Sequence, residues 1–171
     1  MKLQAYLAIC CSLMLLPALM MATHISAKGL NGDNKNNKYV CSESNPGSMC
    51  NASTTCGSTT SACNVDVKRS GGNSASATPS IPNAKGNASF CVKVGTTVTW
   101  QSASKNTGFV LDFGPSSPFD TPDGAIIGGA DRPISVVAKR PGCFKYSVGA
   151  CVSGTIYGMC GTGSAEVVVT N

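Results

Sequence analysis

The sequence predicts an all-β sandwich behind an irregular, disulfide-rich arm. Three observations predict it. Short runs of β-branched and aromatic residues, broken by Gly and Pro turns, fill the C-terminal half. No stretch shows the 3.6-residue apolar period of a helix. Cysteines gather in a polar segment ahead of those runs.

In chain order, the first element is a leader, residues 1–27. Lys2 supplies a short positive region and an apolar run follows from Ala5 to Ala22, interrupted by Pro17. Ile25-Ser26-Ala27 offers the small-residue pattern of a signal-peptidase site, and Ala22 offers a second one. An uncleaved anchor is the competing reading, since the run is just long enough to span. Pro17 and the Ala27 site favour cleavage. No second apolar stretch of that length follows, so no stable span is expected after cleavage. The expected localisation is secreted or periplasmic.

Residues 28–86 are rich in Ser, Asn, Gly, Thr and Ala, with few large apolar side chains. Ordering backbone costs about 1–2 kcal/mol per residue, which such a composition does not offset by apolar burial. Cysteines at 41, 50, 56 and 63 nevertheless sit within it. It reads as a cystine-stapled arm over Cys41 to Cys63, followed by a flexible linker over roughly 68–86.

Residues 87–171 read as the sandwich. Val92 and Val94, then Val98 and Trp100, alternate with polar residues around a turn or bulge at Gly95. Phe109–Phe113 is a third strand, stopped by Gly114-Pro115. Ile134–Val137, Phe144–Val148 and Ala165–Val169 complete six. The expected core contains Val94, Val98, Trp100, Val110, Val136, Phe144, Tyr146, Val148 and Val168.

Beyond the leader, eight cysteines remain: Cys41, Cys50, Cys56, Cys63, Cys91, Cys143, Cys151 and Cys160. An even count in a small exported chain implies up to four disulfides, with connectivity open. A zinc site is the weaker reading, because no C-x-x-C pair and no histidine follow His24. The formal net charge of +5 is mild and scattered, with Lys68-Arg69 and Lys139-Arg140 as the adjacent basic pairs beyond the leader. A solvated surface explains it, and nucleic-acid binding is not expected. Sequons occur at Asn51 and Asn87, both candidate glycosylation sites.

Nothing assembles a catalytic centre. The chain beyond the leader lacks a histidine base. Asp120, Asp123 and Asp131 fit no calcium loop, and neither a G-x-S-x-G elbow nor a phosphate loop is present. The expectation is a protein that is not an enzyme.

Three stretches carry a family resemblance. Val92-Lys93-Val94-Gly95-Thr96-Thr97-Val98-Thr99-Trp100 is one. Asn106 to Phe113 is the second. Phe144-Lys145-Tyr146-Ser147-Val148, running on to Cys151 and Cys151-Val152-Ser153-Gly154-Thr155-Ile156-Tyr157-Gly158-Met159-Cys160-Gly161, is the third. Together they resemble the plastocyanin-like cupredoxins over roughly residues 88–171. The resemblance implies a Greek-key β-sandwich. It places Cys151 at the copper thiolate position and Met159 at the axial position. Gly154 stands where the second histidine belongs, and Thr107, or Asn106 by a one-residue shift, where the first belongs. A type 1 site needs two imidazoles and a thiolate. The resemblance thus implies a domain without its copper-ligand histidines, and no cofactor is expected. Cys151 is then expected to pair with Cys160 across the former ligand loop, with Met159 as packing. A Cu(I) site of Cys151 and Met159 is the alternative. Phe113-Gly114-Pro115-Ser116-Ser117-Pro118-Phe119 also resembles a stretch in copper-less bacterial members of the superfamily.

The expected role is an exported, disulfide-stabilised binding or structural module, presenting loops 113–131 and 151–161 to an unknown protein or glycan. Phe119 and Tyr157 are its candidate contact residues, although for Phe119 packing over the sandwich end is the stronger reading. A copper protein, or a secreted Cys-rich inhibitor-like or toxin-like protein acting through residues 41–63, are the alternatives. The leader is checked by the intact mass of the exported chain, which should begin at Lys28; a chain retaining Met1 refutes it.

Overall fold

The computed structural model describes residues 39, 41–42, 44–102, 104–121, 124–159 and 164–171. The leader therefore lies outside the described residues, as do Asp123 and Cys160. Among the described residues, ten strands form two sheets. The smaller has the order β2-β1-β4-β7, from Ala75–Pro79, Cys63–Arg69, Thr97–Ser102 and Ile134–Val137. The larger has the order β3-β10-β8-β5-β6, from Phe90–Lys93, Ser164–Thr170, Gly142–Val152, Thr107–Asp112 and Ala125–Gly129. Strand β9, Thr155–Tyr157, pairs with β8. Strand pairs β1–β4 and β3–β10 are parallel; the others are antiparallel. Pro46–Met49 forms a short 3-10 turn. No helix among the described residues is long and apolar enough to cross a membrane.

The sheets face each other across an aromatic core. Trp100 is wholly buried and meets Phe90, Phe113, Phe119 and Tyr146 edge-on, with ring centroids 5.4–6.3 Å apart. Phe113 stacks on Tyr146 at 4.8 Å. Edge-to-face geometry suits aromatic quadrupoles and adds about 0.5–1.5 kcal/mol per pair beyond area burial. The six expected strands all form, and Gly95 makes the expected turn at φ +88°.

Several expectations change. Residues 63–86 are not arm and linker, because Cys63–Arg69 and Ala75–Pro79 are strands of the smaller sheet. Cys63, Val65 and Val67 alternate inward there and are fully buried. Loop 113–131 contains β6, and loop 151–161 contains β9. Val110 faces outward because β5 buries Thr107, Phe109 and Leu111 on the opposite face. Val94, Val136 and Phe144 are only partly buried at the core margin.

Val168 is buried, at 3% exposure, but on the outer face of the larger sheet. Its register partners are Cys91 on β3 and Cys143 on β10's other neighbour, β8. Both cysteines bind the arm, through Cys50–Cys91 and Cys41–Cys143, while Cys56–Cys63 closes a short loop into β1. The arm also pairs with the β3 edge: Cys91 N–H donates to Thr54 O at 2.9 Å and Cys56 N–H to Cys91 O at 2.8 Å. The polar arm is ordered by crosslinks and by this edge pairing. Closing the loop from Cys50 to Cys91, a separation of 41 residues, should stabilise by about 4 kcal/mol in the chain-entropy model. The double variant Cys50→Ser/Cys91→Ser should lose about that much in urea unfolding, and a loss under about 1 kcal/mol would contradict a constrained arm.

Candidate functional site

Period-two alternation assigns each residue of the larger sheet to a face. On β5, Gly108, Val110 and Asp112 look outward; on β8, Ser147, Gly149 and Cys151 do; on β6, Ala125, Ile127 and Gly129 do. The register aligns Gly129, Gly108, Cys151 and Ile156 in one row, and Ile127, Val110 and Gly149 in the next. Met159 lies over Gly149: a Cβ built there would stand 2.6 Å from Met159 Cγ and 2.8 Å from Val110 Cγ1. Ile127 is 70% exposed and Ile156 58%. A shallow recess of about 330 Å³ opens beside this face, lined by Thr107, Gly108, Ile127, Gly129, Asp131 and Arg132. The outer face thus has a half covered by the arm and an apolar half open to solvent.

The residues at the copper positions do not converge. Thr107 points into the sandwich at 8% exposure, whereas Cys151 sits beside Gly108 on the opposite face of the sheet. Gly154 forms the β8–β9 turn with Ser153, at φ +80° and +49°. Asn106 occupies a left-handed turn at φ +61°. The chain's one histidine, His24, lies outside the described residues. This donor set does not fit a type 1 centre, which needs imidazoles beside the thiolate.

Cys151 is a free thiol and half-buried. Its expected partner, Cys160, lies outside the described residues. The segment after Cys151 folds back as a hairpin, so Cys151 pairs across the strands with Ile156. Gly158, at φ +99°, then packs against Ala75 and Val148.

The two candidate contact residues differ. Phe119 is 3% exposed among Trp100 and Phe113, so it is core and is not presented to a partner. Tyr157 is half-buried beneath Arg69, whose guanidinium lies 4.0 Å from the ring centroid. Arg69 is held there because Nε and Nη2 donate to Gly71 O and Gly72 O. The exposed isoleucines were not singled out in the sequence. The alternation Ala125-Ile126-Ile127 next to Gly128-Gly129 was too short to place a strand.

The acids serve structure. Asp66 accepts from Gln101 Nε2 at 2.7 Å, and Asp120 faces Lys139 at 4.0 Å on the exposed surface. Glu166 is buried and accepts from Ser42 N–H and Oγ–H, both at 2.8 Å. It also lies near Cys41 and Cys143, the one such group of potential ligands among the described residues. Both sulfurs are in the disulfide, which removes them as thiolate ligands. Arg140 donates to Ser117 O, fixing the loop that carries Phe119.

Tyr39 anchors the start of the arm. Its O–H donates to Asp112 Oδ2 at 2.5 Å, and Asp112 Oδ1 accepts from Gly114 N–H at 2.8 Å. The Tyr39 ring packs so closely on Gly114 (φ +65°) that a Cβ there would lie 2.6 Å from Cε2. Desolvation raises the Tyr39 pKa from 10.0 to about 12, helped by the hydrogen bond to Asp112 and its charge. Burial likewise pushes Tyr146 upward.

Compared with known proteins, the sequence matches no family model and no curated relative. Among solved structures the fold superposes on amicyanin variants. One, in the reduced state, is 16% identical, covering 63% of this chain and 81% of that chain at a TM-score of 0.35. A second, a reduced Cu(I) form, is 18% identical with the same coverage and score. An oxidised form is 16% identical, covering 68% of this chain and 93% of that chain at 0.34.

Folding raises the Tyr39 pKa, so its contribution is complete below pH 10 and is lost as pH climbs through about 12. Unfolding experiments should show stability falling over that window. Tyr39→Phe should remove its share of the fall, and a variant with an unchanged pH profile would refute the assignment.

Proposed function

We infer that this chain is an exported, cupredoxin-like binding or structural module that does not use type 1 copper and is not an enzyme. The observation that carries it is the division of the larger sheet's outer face. One half is sealed by a cystine-fixed arm, and the other keeps Ile127 and Ile156 in solvent beside a recess. Apolar side chains held in water by a rigid frame form a recognition surface for a protein or glycan partner. Three disulfides suit an oxidising compartment outside the cytosol.

A second reading, a Cu(I) carrier, draws on one observation. The free Cys151 thiol and the Met159 thioether belong to the same outer face, and soft sulfur donors favour Cu(I). Copper titration of the native chain separates the two. Added Cu(II) should give no intense blue thiolate absorption, and Cu(I) offered against a competing chelator should not be taken up. Stoichiometric uptake that disappears in Cys151→Ser would replace the first reading with the second. The surface itself is read with a dye that fluoresces on exposed apolar patches: Ile127→Asp/Ile156→Asp should dim it without shifting the unfolding midpoint.

A further inference from the structure

The two sequons are built differently. Asn51, Ala52 and Ser53 are all exposed, on the loop that follows Cys50. Within it the Asn51 side chain makes a closed local arrangement. Its Oδ1 accepts from Ser53 N–H at 2.9 Å and from Ser53 Oγ–H at 2.6 Å. Its Nδ2 donates only at long range, to Met49 O at 3.3 Å. These partners lie two residues away, so the arrangement needs no tertiary fold and is open to a chain still being exported. The third sequon residue thus holds the amide oxygen, and the long Met49 bond is the one hydrogen bond of Nδ2 among the described residues.

Asn87 is spent on the fold. It takes φ +61° at the free edge of β2, where its backbone N–H donates to Ala77 O at 2.6 Å. Its Oδ1 accepts from Ala77 N–H at 2.9 Å and its Nδ2 donates to Ala75 O at 3.5 Å. One asparagine thus replaces the neighbouring strand that β2 lacks. A sugar on Nδ2 would enter the space between that nitrogen and the β2 backbone.

We propose that Asn51 is an acceptor for an N-linked oligosaccharide and that Asn87 is not. In the transfer, Asn51 Nδ2 forms a bond to the anomeric carbon of an oligosaccharide carried on a lipid diphosphate. The bond from that carbon to the phosphate oxygen breaks, and the lipid diphosphate leaves with the electron pair. One amide proton passes to solvent. One N–H remains on Nδ2, and Oδ1 keeps both bonds from Ser53. The glycan would project from the arm beside the Cys50–Cys91 bridge.

The full chain, placed behind a leader of a glycosylating eukaryotic host, tests this, with protein taken from both medium and cell lysate. Peptide mass mapping before and after N-glycosidase treatment should find one glycan, at Asn51. Asn51→Gln and Ser53→Ala should each abolish it, whereas Asn87→Gln should keep it while lowering the thermal midpoint. Bare Asn51 in both fractions overturns the proposal. So does a glycan on Asn87 in either fraction.

Discussion

The structure depends on what covers Val168. A sheet in a two-layer sandwich buries one face by default, yet β10 carries apolar residues on both: Val167 and Val169 inward, Val168 outward. The outward residue needs a lid, and the chain has only a Ser- and Asn-rich segment to supply one. Such a segment has too little apolar surface to condense by itself. Cystines solve the problem from the unfolded side. With Cys91 and Cys143 flanking Val168 in register, each bridge shortens the excursions of the arm before folding begins. Long-range hydrogen bonds, such as those from Ser42 to buried Glu166, then satisfy polar groups that the lid would otherwise bury unpaired.

The same arm manages an edge. Strand β3 would expose a row of N–H and C=O groups, and Thr54 to Cys56 pair with it. At the opposite sheet, Asn87 performs the equivalent service for β2 with one side chain and its own backbone. Two edges that could template association are thus closed by chain-local means. Strand β6 has no such cover among the described residues, and it bears the most exposed isoleucine. Covered and open parts of the surface are therefore set by where the polar segments can reach.

Much of this was legible in the sequence because it rests on period-two alternation of large side chains. Val98 and Trp100, and Tyr146 and Val148, stand where that pattern puts them, whereas at the Val-rich end Val167 and Val169 rather than Val168 face the core. The pattern misled where both neighbours were apolar. Phe109-Val110-Leu111 offers two registers, and only the packing of Phe109 and Leu111 against the smaller sheet decides that Val110 looks outward. Strand β1 was hidden although Cys63, Val65 and Val67 alternate cleanly, because its surroundings read as linker. Strand β2 carries Ala, Ser and Thr, and its place comes from β1 and Asn87 rather than from its own apolarity.

The candidate site was the least legible part, for a physical reason. A resemblance assigns residues to positions along a strand, but a ligand set needs them on one side of it. Thr107 and Cys151 fall on opposite faces, so the residues at those positions enclose no common volume. The hairpin through Ser153-Gly154 adds to this separation. A ligand loop must stay irregular to aim several donors at one point, whereas β9 spends that segment on backbone pairing with β8. What the hairpin leaves outside is Ile156 beside Cys151, in line with Gly108 and Gly129. The segment after Cys151 thus extends the larger sheet as paired strand, with Ile156 held in solvent.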